Sequence, residues 1–504
     1  MANTKTHSPD GAVHADLLGA RNRFRFRARR VGSQDLTRPL RCHITLQDGQ
    51  VLDLEVADLS QTGLGVLSEQ DLPLAQGENL DPVRILYGER VEWEGEVSVV
   101  YQVAKPRPRL GLRFVSGFFD IERLELGDAL VEKKLSRELN DIQLSQELLS
   151  PEWRSEVGHL RQLLASAKDF LDQMESQLKR GVWWRQGMDE RDLCRSVFEK
   201  WGQPYLEKVR HLDRISRGFD KRQLEQAYSF ARRELLNLYL HCPMQGRAYE
   251  KPHGYAGDYR LMTLFFDQNL HGDSLFGKFM NYLAQHYTLA RAVIHREQRM
   301  REAVRQTSQL GRPCRIMSLA SGPALELQNF LREIEELEHP VELILVDQDE
   351  ESLEYAYESL NRILLEKHHG KLKVEITCLH FSVRQILTPK DQSEIDIVRK
   401  VLKDVDLIYS AGLMDYMPKP IGQALLRSLY RLVRPGGRLF IGNLERVPDT
   451  SWVMEFALAW HLEYRDDTSM MELGERLRPV PETMGLVKDK TGLCLFLDIV
   501  RPKA

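Results

Sequence analysis

The sequence lacks the residues and patterns that mark several large classes of protein. Its 504 residues include only six cysteines and no CxxC pair, so neither a zinc framework nor a disulfide framework is indicated. The 15 histidines are scattered without an HExxH motif, and no metal site is expected. No apolar run approaches the length of a membrane-spanning helix, and the N-terminal segment lacks the apolar core of a secretory signal. We therefore expect a cytoplasmic protein without a transmembrane segment.

Charge and composition exclude further classes. The formal net charge is −4, so bulk electrostatics do not indicate a binder of nucleic-acid polymers. Hydrophobic residues make up 42% and charged residues 29%, which is ordinary for a globular chain and excludes wholesale disorder. At roughly 150 residues per domain, a chain of this length should contain about three folded units.

The first part of the chain predicts a β-domain behind a polar leader. Residues 1–20 are polar, and residues 21–118 contain short runs rich in Val, Leu, Ile and aromatic residues. Turn residues such as Asp48 and Gly49 separate these runs, and strands at this spacing favour a small barrel or sandwich. We therefore expect a flexible leader followed by a small β-barrel.

The middle of the chain predicts helices. Residues 119–185 have apolar residues three and four apart among strong helix formers, and the pattern recurs over residues 186–305. The first of these helices could form a spacer, a dimerising coil or a layer packed on a neighbour. We expect a helical linker and then a helical cap or substrate region, with a homodimer through the helices as one alternative.

The last part, residues 306–504, alternates strands and helices. Five short apolar runs, RIMSLA, VELILVD, KVEITCLHF, VDLIYSAGL and GRLFIGNL, are separated by four helix-like stretches. Such runs between amphipathic helices are typical of a parallel sheet covered on both faces, here a Rossmann-like α/β domain. The final MGLVKDKTGLCLFLDIVR predicts an antiparallel hairpin at the sheet edge. The whole chain is therefore expected to be multidomain.

The β-domain begins with a dense arginine array. Six of the ten residues in RNRFRFRARR, from Arg21 to Arg30, are arginine. Guanidinium groups bind phosphates in bidentate fashion and stack on flat bases. Downstream, Asp58 and Ser60 share one face of a strand before a turn with Gly63. A carboxylate can accept two hydrogen bonds from a guanine, so the two motifs together suit a ligand with guanine bases and phosphates.

These motifs resemble the PilZ family of cyclic di-GMP receptors. The family pattern is RxxxR, a D/N-x-S-x-x-G strand and turn, and a closing strand like LGLRFV. The resemblance implies that one or two cyclic di-GMP molecules bind as an allosteric ligand between the arginine segment and the barrel. The register of RxxxR stays open, because Arg21/Arg25, Arg23/Arg27 and Arg25/Arg29 all satisfy it. The implied nucleotide site comprises Arg21, Arg25, Arg29, Arg30, Asp58, Ser60 and Gly63.

The sheet domain carries a turn of the kind that binds nucleotides. The run RIMSLASGPALE, from Arg315 to Glu326, predicts a strand, a small-residue turn and a helix start. Small residues let a ligand approach the backbone, and a helix N-terminus attracts a carboxylate or phosphate. Asp347 ends the next strand, 25 residues beyond Gly322, about where an acid binds ribose hydroxyls. These features fit NAD and S-adenosylmethionine alike.

Three features of the sequence favour S-adenosylmethionine over NAD. Together they resemble the pattern of the class I S-adenosylmethionine-dependent methyltransferases. The turn is not G-x-G-x-x-G, the last strand pair is expected to be antiparallel, and the fourth strand ends in small and polar residues. Ser318, Ala320 and Ala324 depart from the family's usual acid, glycine and glycine, while Gly322 remains. The resemblance implies that Ser321 and Gly322 face the methionine part of the cofactor and that Asp347 binds its ribose. Phe381 and Ser382 would flank the adenine, and Ser410 and Gly412 would border the methyl group. Glu326 is a further residue expected to bind the cofactor.

A further motif, YEKPHGYAGDYRLM from Tyr249 to Met262, precedes the sheet domain. Two glycines among polar-tipped aromatics suit a ligand-lining lid or, equally, a structural turn. With YSAGLMDYM and ALAWHLEYR, the motif resembles bacterial methyltransferases of extracellular-factor 3-hydroxypalmitic acid methyl ester biosynthesis, over residues 190–504. That resemblance implies carboxyl O-methylation of a small or lipid acid of the hydroxy fatty acid type.

Methyl transfer to a carboxylate needs few catalytic side chains. Transfer is an in-line attack on a sulfonium carbon, so alignment supplies much of the rate, and a carboxylic acid is already ionised at neutral pH. The carboxylate needs a cation or hydroxyls to orient it, whereas an amine or phenol acceptor would need a base such as Asp258, His253 or His461. His461 lies in an apolar stretch, where a histidine is more often packed in a core. The candidate catalytic residues are Tyr255, Asp258, Tyr259, Tyr416, His461 and Arg465.

The leading hypothesis is a cyclic di-GMP-responsive methyltransferase that acts on a small or lipid carboxylic acid. One alternative is a non-catalytic cyclic di-GMP receptor or adaptor with a degenerate methyltransferase fold. Another is a protein methyltransferase that acts in signalling or motility. An NAD-dependent enzyme is the most distant alternative.

Overall fold

The computed structural model describes residues 30–33, 36, 38–46, 49–60, 63–68, 72, 74–103, 108–115, 119, 128–179 and 189–503. These residues form two compact units, and the chain divides between Leu144 and Ser145. No helix within the described ranges is long and apolar enough to cross a membrane.

The first unit contains a closed barrel. Its strands are Arg30–Gly32 (β1), Leu40–Thr45 (β2), Val51–Ser60 (β3), Gly63–Leu67 (β4), Asn79–Tyr87 (β5), Arg90–Val103 (β6) and Arg109–Phe114 (β7). The order β3-β2-β5-β6-β7-β4 closes into six antiparallel strands because β4 pairs back onto β3, and β1 pairs with the end of β3. Leu40, Cys42 and Ile44 alternate with more exposed residues along β2, so one face of the strand fills the barrel.

A long helical segment follows the barrel, as its helix-forming composition predicts. Its helices are Asp128–Leu148 (α1), Pro151–Lys179 (α2), Glu190–Val197 (α3), Gln203–Ser216 (α4), Lys221–Tyr239 (α5), Pro243–Glu250 (α6), Tyr259–Asp267 (α7), Leu275–Gln285 (α8) and Thr288–Ser308 (α9). A π-helical turn, Phe198–Gly202, joins α3 to α4. Side-chain caps fix several starts: Asp220 accepts a hydrogen bond from the Gln223 N–H, and the Gln223 side chain accepts one from the Asp220 N–H.

The apolar faces of these helices pack around Trp153 on α2, which is fully buried. Its indole Nε1 donates to Ser216 Oγ at 2.9 Å, and its ring lies against Phe219, Phe230 and Phe456. Phe456 lies far along the chain, in the C-terminal domain, between two strands of that domain's sheet. Helix α2, which the sequence places in a linker, therefore packs in a core shared with the later helices and with part of the C-terminal domain.

The C-terminal sheet has seven strands. They are Cys314–Leu319 (β8), Val341–Asp347 (β9), Val374–His380 (β10), Val405–Ser410 (β11), Val433–Leu444 (β12), Thr483–Lys488 (β13) and Cys494–Val500 (β14). The order is β10-β9-β8-β11-β12-β14-β13, in which the first five are parallel and β14 is antiparallel to both β12 and β13. The expected C-terminal hairpin is present, and it places the last strand inside the sheet rather than at its edge.

Helices cover both faces of this sheet. They are Leu325–Glu333 (α10), Glu350–Glu366 (α11), Val383–Leu387 (α12), Gln392–Asp396 (α13), Lys419–Leu432 (α14), Pro448–Trp452 (α15) and Asp467–Met471 (α16), with a 3-10 turn at Met414–Tyr416 and π-helical turns at Ile397–Val401 and Val453–Ala457. One core joins the sheet to α9, α10 and α11, and a second joins it to α12 and α14. The near-continuous burial of β9 and β11 follows from this double cover.

We predict that Trp153→Ala destabilises the second unit by about 3–5 kcal/mol, because a large buried ring is lost and leaves a cavity. Urea unfolding followed by far-UV circular dichroism measures the change. Glu152→Ala, one residue away and exposed, is the matched control and should shift the midpoint little. Equal midpoints for Trp153→Ala and Glu152→Ala would show that α2 does not belong to this core.

Candidate functional site

A cleft opens at the carboxyl edge of the sheet, above the ends of β8, β9 and β11. Strands β8 and β11 are neighbours in the sheet, and the helices that follow them lie on opposite faces of it. A position of this kind, a topological switch point, is where ligands bind in open α/β sheets. All the cofactor residues expected from the sequence line the cleft: Ser321, Gly322, Glu326, Asp347, Phe381, Ser382, Ser410 and Gly412.

The turn after β8 has an unusual backbone. Ala320, Gly322 and Ala324 have φ angles of 51°, 53° and 49°, which is the left-handed region. Two of the three are alanines, for which this conformation is strained, and strain of this kind concentrates at functional sites. The turn brings the Gly322 N–H to Asp347 Oδ2 at 2.9 Å, so the first two strand ends are tied together.

Asp347 is the buried acid at the centre of the cleft, with 5% of its surface exposed. Its Oδ1 accepts a hydrogen bond from the Asp349 N–H at 3.0 Å, in addition to the bond from Gly322. Burial raises the pKa of the Asp347 carboxyl to about 6, against the lowering effect of these two N–H donors. Near neutral pH the group is therefore a carboxylate that faces a cavity and can accept further hydrogen bonds.

Two hydroxyls in the cleft have no partner within the part of the chain that the structure describes. They are Ser321 Oγ, in the turn, and Ser410 Oγ, at the end of β11, and both residues are buried. Buried polar groups in native proteins are nearly always hydrogen-bonded. Their orphaned state fits a polar ligand that spans from the β8 turn to the β11 end.

Glu326, in the first turn of α10, is a second buried acid in the cleft. Its Oε1 accepts a hydrogen bond from the Tyr409 hydroxyl at 2.7 Å, and it forms no ion pair with any described cation. Burial raises the pKa of Glu326 to about 7. The cleft thus contains two carboxyls that change charge near neutral pH, as sites of recognition and catalysis commonly do.

The motif at residues 249–262 covers the cleft from the helical side. The Tyr255 hydroxyl donates to Asp349 Oδ2 at 3.2 Å, and His253 Nδ1 lies 3.1 Å from the same oxygen. Gly257 is needed for close approach, since a Cβ there would lie 3.0 Å from the Tyr416 hydroxyl. Tyr255 and Tyr259 of the motif line the cleft together with Tyr416 from the turn after β11, so polar-tipped aromatics lie among the residues expected to bind a cofactor.

Three candidate catalytic residues lie elsewhere, and the structure gives each a structural role. Asp258 caps α7 by accepting from the Leu261 N–H and pairs with Arg247, fully buried. His461 packs edge-on against Tyr228. Arg465 donates to the carbonyl oxygens of Met414 and Met417 and to the Asn443 side chain, so its guanidinium braces the turn after β11.

A second cavity adjoins the cleft, and its lining is mostly apolar. Arg296 on α9 lies at the boundary, with Tyr416, Gly257 and Gly412 among the residues common to both linings. We did not identify Arg296 from the sequence. A signal was present, because Arg296 stands at helical spacing within the apolar stripe of Leu289, Val293 and Met300.

The nucleotide site expected in the β-domain is only partly described. Arg21, Arg25 and Arg29 lie outside the described residues, while Arg30 begins β1 and pairs in register with Ser60. The strand pairing therefore brings the end of the arginine segment beside the D-x-S strand.

Within that strand, Asp58 and Ser60 are used differently from the expectation that both read a base. The Ser60 hydroxyl is buried and donates to the Gly63 carbonyl at 2.9 Å, so it closes the turn. Gly63 admits the neighbouring strand, since a Cβ there would lie 2.3 Å from the Leu112 carbonyl oxygen. Asp58 is partly exposed and pairs with Arg109 on β7, a residue that no sequence motif marked. The Asp58 carboxylate is therefore part of an ion pair between β3 and β7, with 19% of its side chain exposed.

No protein-family model matches the chain, and no curated protein matches it in sequence. A solved structure of a possible exported protein from Bordetella parapertussis is 16% identical over 59% of this chain and 94% of that chain, with a TM-score of 0.37. Magnesium protoporphyrin IX methyltransferase (ChlM) from Synechocystis PCC 6803, with bound S-adenosylmethionine, is 9% identical over 43% of this chain and 84% of that chain, with a TM-score of 0.30. YcgR from Escherichia coli, in complex with cyclic di-GMP, is 21% identical over 24% of this chain and 49% of that chain, with a TM-score of 0.18.

We predict that Glu326→Gln stabilises the protein at alkaline pH. Because its folded-state pKa is raised from 4.5 to about 7, the stability contributed by protonated Glu326 is present below about pH 4.5 and is lost as pH rises through 7. The amide cannot ionise and keeps an acceptor for Tyr409. The variant should gain on the order of 3 kcal/mol over the wild type at pH 8.5, and little at pH 5.

Urea unfolding at the two pH values measures this difference. Glu336→Gln, an exposed acid nearby, is the matched control and should show no trend with pH. A Glu326→Gln variant that is equally or less stable at pH 8.5 would contradict the assignment of a costly buried charge.

Proposed function

We propose that this chain is an S-adenosylmethionine-dependent methyltransferase that acts on a small or lipid carboxylic acid, of the hydroxy fatty acid type, and responds to cyclic di-GMP. The observation that carries the proposal is the cleft in which Asp347, at the end of β9, faces the small-residue turn after β8. The cleft lies at the switch point of the sheet, and its orphaned hydroxyls call for a polar ligand.

In this proposal each end of the cofactor has its own contacts. The Asp347 carboxylate accepts hydrogen bonds from the ribose hydroxyls, and Ser321 and Gly322 lie beside the methionine part. Phe381 and Ser382, at the end of β10, flank the adenine. Both are buried and line the cleft, which supports an apolar slot for a flat base.

The remaining cleft residues surround the reacting centre. Ser410, the last residue of β11, and Gly412, just beyond it, border the methyl group. The donor carries that methyl group on a positively charged sulfur. Tyr255 and Tyr259 would present hydroxyls to the acceptor from the covering side, and Tyr416 from the turn after β11. Their alignment of the acceptor accounts for much of the rate, because oriented reactants avoid the entropy cost of encounter.

The reaction requires no base when the acceptor is a carboxylic acid. A carboxylate oxygen forms a bond to the methyl carbon, the carbon–sulfur bond breaks, and its electron pair stays on sulfur, which becomes a neutral thioether. The acid is already ionised at neutral pH, so no proton is released. Carboxyl methylation is therefore consistent with a cleft whose described lining holds tyrosines but no histidine.

The sheet topology favours this proposal over an NAD-dependent enzyme. Dinucleotide-binding sheets have the strand order 3-2-1-4-5-6, all parallel. Here an antiparallel strand, β14, is inserted between the fifth and sixth strands. The turn after β8 also lacks the glycines that let a pyrophosphate approach the backbone.

The β-domain is proposed to bind cyclic di-GMP. Asp58 supplies the acceptor for guanine, and the arginine segment that leads into β1 supplies the phosphate ligands. Pairing of Arg30–Gly32 with the end of β3 supports this, because it places Arg30, the last arginine of that segment, opposite Ser60. Regulation then requires that the nucleotide bind two states of the enzyme with different affinities.

Asp347→Asn tests the cofactor site. We expect the variant to lose about 1–3 kcal/mol of affinity for S-adenosylmethionine in calorimetry, because charge-assisted hydrogen bonds to ribose are lost. With 5′-methylthioadenosine, which lacks the charged tail, wild-type affinity should fall as pH drops through about 6, where Asp347 takes up a proton. The variant should lack this pH dependence.

The activity readout for the same prediction is methyl transfer from labelled donor to extracted acidic metabolites, with and without cyclic di-GMP. Label in extractable esters supports the proposal, and label in protein supports a protein methyltransferase instead. Absence of donor binding at millimolar concentration would leave a non-catalytic receptor.

Asp58→Ala is predicted to abolish binding of cyclic di-GMP while the affinity for S-adenosylmethionine stays unchanged. Asp53→Ala, on the same strand and in an exposed ion pair with Arg41, is the matched control and should bind both ligands. Calorimetry with each ligand measures both effects. Retained nucleotide binding in Asp58→Ala would remove this strand from the site.

A further inference from the structure

The second cavity is a partly open chamber lined mainly by apolar side chains from both parts of the unit, with Gln245, Asp415 and Thr450 among its polar residues. Helices α6 to α9 form one side, and the turn after β11 with residues 444–462 forms the other. Its apolar walls include Met244, Leu261, Phe265, Ala284, Leu289, Ala290, Val293, Leu444, Val453, Met454, Leu458, Trp460 and Leu462. A lining of this kind binds a hydrocarbon group, and polar groups at one end would fix its orientation.

The boundary between chamber and cleft is formed by a few residues. Gly257, Gly412, Met262 and Tyr416 line both cavities. Gly412 is also one of the residues proposed to border the methyl group. A molecule that fills the chamber therefore has one end beside the point of methyl transfer.

Arg296 is the cation at this boundary. Its Nη1 donates to the Ala411 carbonyl oxygen at 3.1 Å, and its Nη2 lies 3.9 Å from Met262 Sδ. Within the described ranges it forms no ion pair with a carboxylate. The nearby carboxyl of Asp415 is buried and accepts a hydrogen bond from the Leu444 N–H at 2.7 Å. A half-buried guanidinium thus retains N–H donors that face two cavities.

We propose that the chamber is the acceptor site, in which Arg296 binds the carboxylate of the acceptor and the apolar walls enclose a single hydrocarbon tail. The assignment rests on the proposed methyl transfer and defines its acceptor: an amphipathic monocarboxylate rather than a polar metabolite or a protein side chain. A planar guanidinium suits a carboxylate because two parallel N–H···O bonds can form. One of the two carboxylate oxygens attacks the methyl carbon with its second lone pair, and the carbon–sulfur electron pair stays on sulfur.

The tail is tested on the wild-type protein with saturated fatty acids of six to fourteen carbons. Each methylene buried in the chamber should tighten binding about fourfold in calorimetry, until the chamber is full and the gain stops. Ala290→Leu places extra volume in the chamber from α9, and should move that limit to shorter acids. Affinity that does not depend on chain length, or a limit that Ala290→Leu leaves in place, overturns the assignment of the chamber.

The carboxylate contact is tested by Arg296→Met with decanoate and decanol as probes. Decanoate affinity should fall about thirtyfold or more, because a desolvated charge partner is lost, while decanol affinity should stay within about threefold. Arg296→Lys should recover part of the loss for decanoate. Arg299→Met, one turn away on the same helix and hydrogen-bonded to the Lys488 carbonyl oxygen, is the matched control and should bind both probes normally.

Decanoate binding that is equal in Arg296→Met and wild type overturns the role of Arg296. Binding of S-adenosylmethionine, measured on every variant, separates this inference from the function on which it rests. Fatty acids that bind the chamber of a protein without affinity for the donor would refute methyl transfer but not the acid site. Donor binding without any fatty-acid binding would refute the acid site alone.

Discussion

One carboxylate, Asp349, joins the sheet side of the cleft to the helices that cover it. Its Oδ1 accepts from the N–H groups of Glu351 and Ser352 and so starts helix α11 directly after β9. Its Oδ2 receives the Tyr255 hydroxyl and lies beside His253. One side chain therefore fixes a helix start on the sheet and holds the cover contributed by the helices. A second polar contact lies at the same corner, where the Tyr259 hydroxyl donates to Glu351 Oε2 at 3.4 Å.

Buried acids are the energetic cost of such a cleft. Asp347, Glu326 and Asp415 are all nearly inaccessible, and burial raises the pKa of each toward neutrality. A core of equal volume filled with apolar residues would be more stable, as is common for sites kept for function. The left-handed alanines at positions 320 and 324 add backbone strain at the same place. The buried acids and the strained turn therefore lie at the same edge of the sheet, where a ligand is proposed to bind.

The positions of the strands could be predicted from the sequence because their signals are local. Apolar runs of five to seven residues, as in VELILVD, report burial on both faces without knowledge of their neighbours. The residues at strand ends follow directly, which is why the expected cofactor residues all line one cleft. The helical middle was harder, because an amphipathic face does not identify its partner. Nothing local in α2 indicates that Trp153 packs against Phe456, some 300 residues later.

For the same reason, some of the candidate catalytic residues line the cleft and others do not. Aromatic residues beside glycines could be placed in a lining loop from composition alone. A buried charged side chain can either stabilise the fold or bind a ligand, and only its hydrogen-bond and ion-pair partners show which. Arg465 and Arg296 look alike in sequence, because each is followed directly by an acidic residue. The guanidinium of Arg465 is used up by two main-chain carbonyls and an amide. That of Arg296 keeps donors free between two cavities, a difference set by packing between distant segments.

The shared core explains how a helical body can shape chemistry on a separate sheet. The segment after β12 sends Trp452, Val453 and Phe456 into the helical core, while Met454 and Leu462 pack toward the sheet. The same segment lines the chamber, together with α9, which covers the sheet. A rearrangement of the helices would therefore change the volume of the chamber and the position of Arg296 together. Any signal that reaches the helices needs to move only this wall to alter how an acceptor is aligned with the cleft.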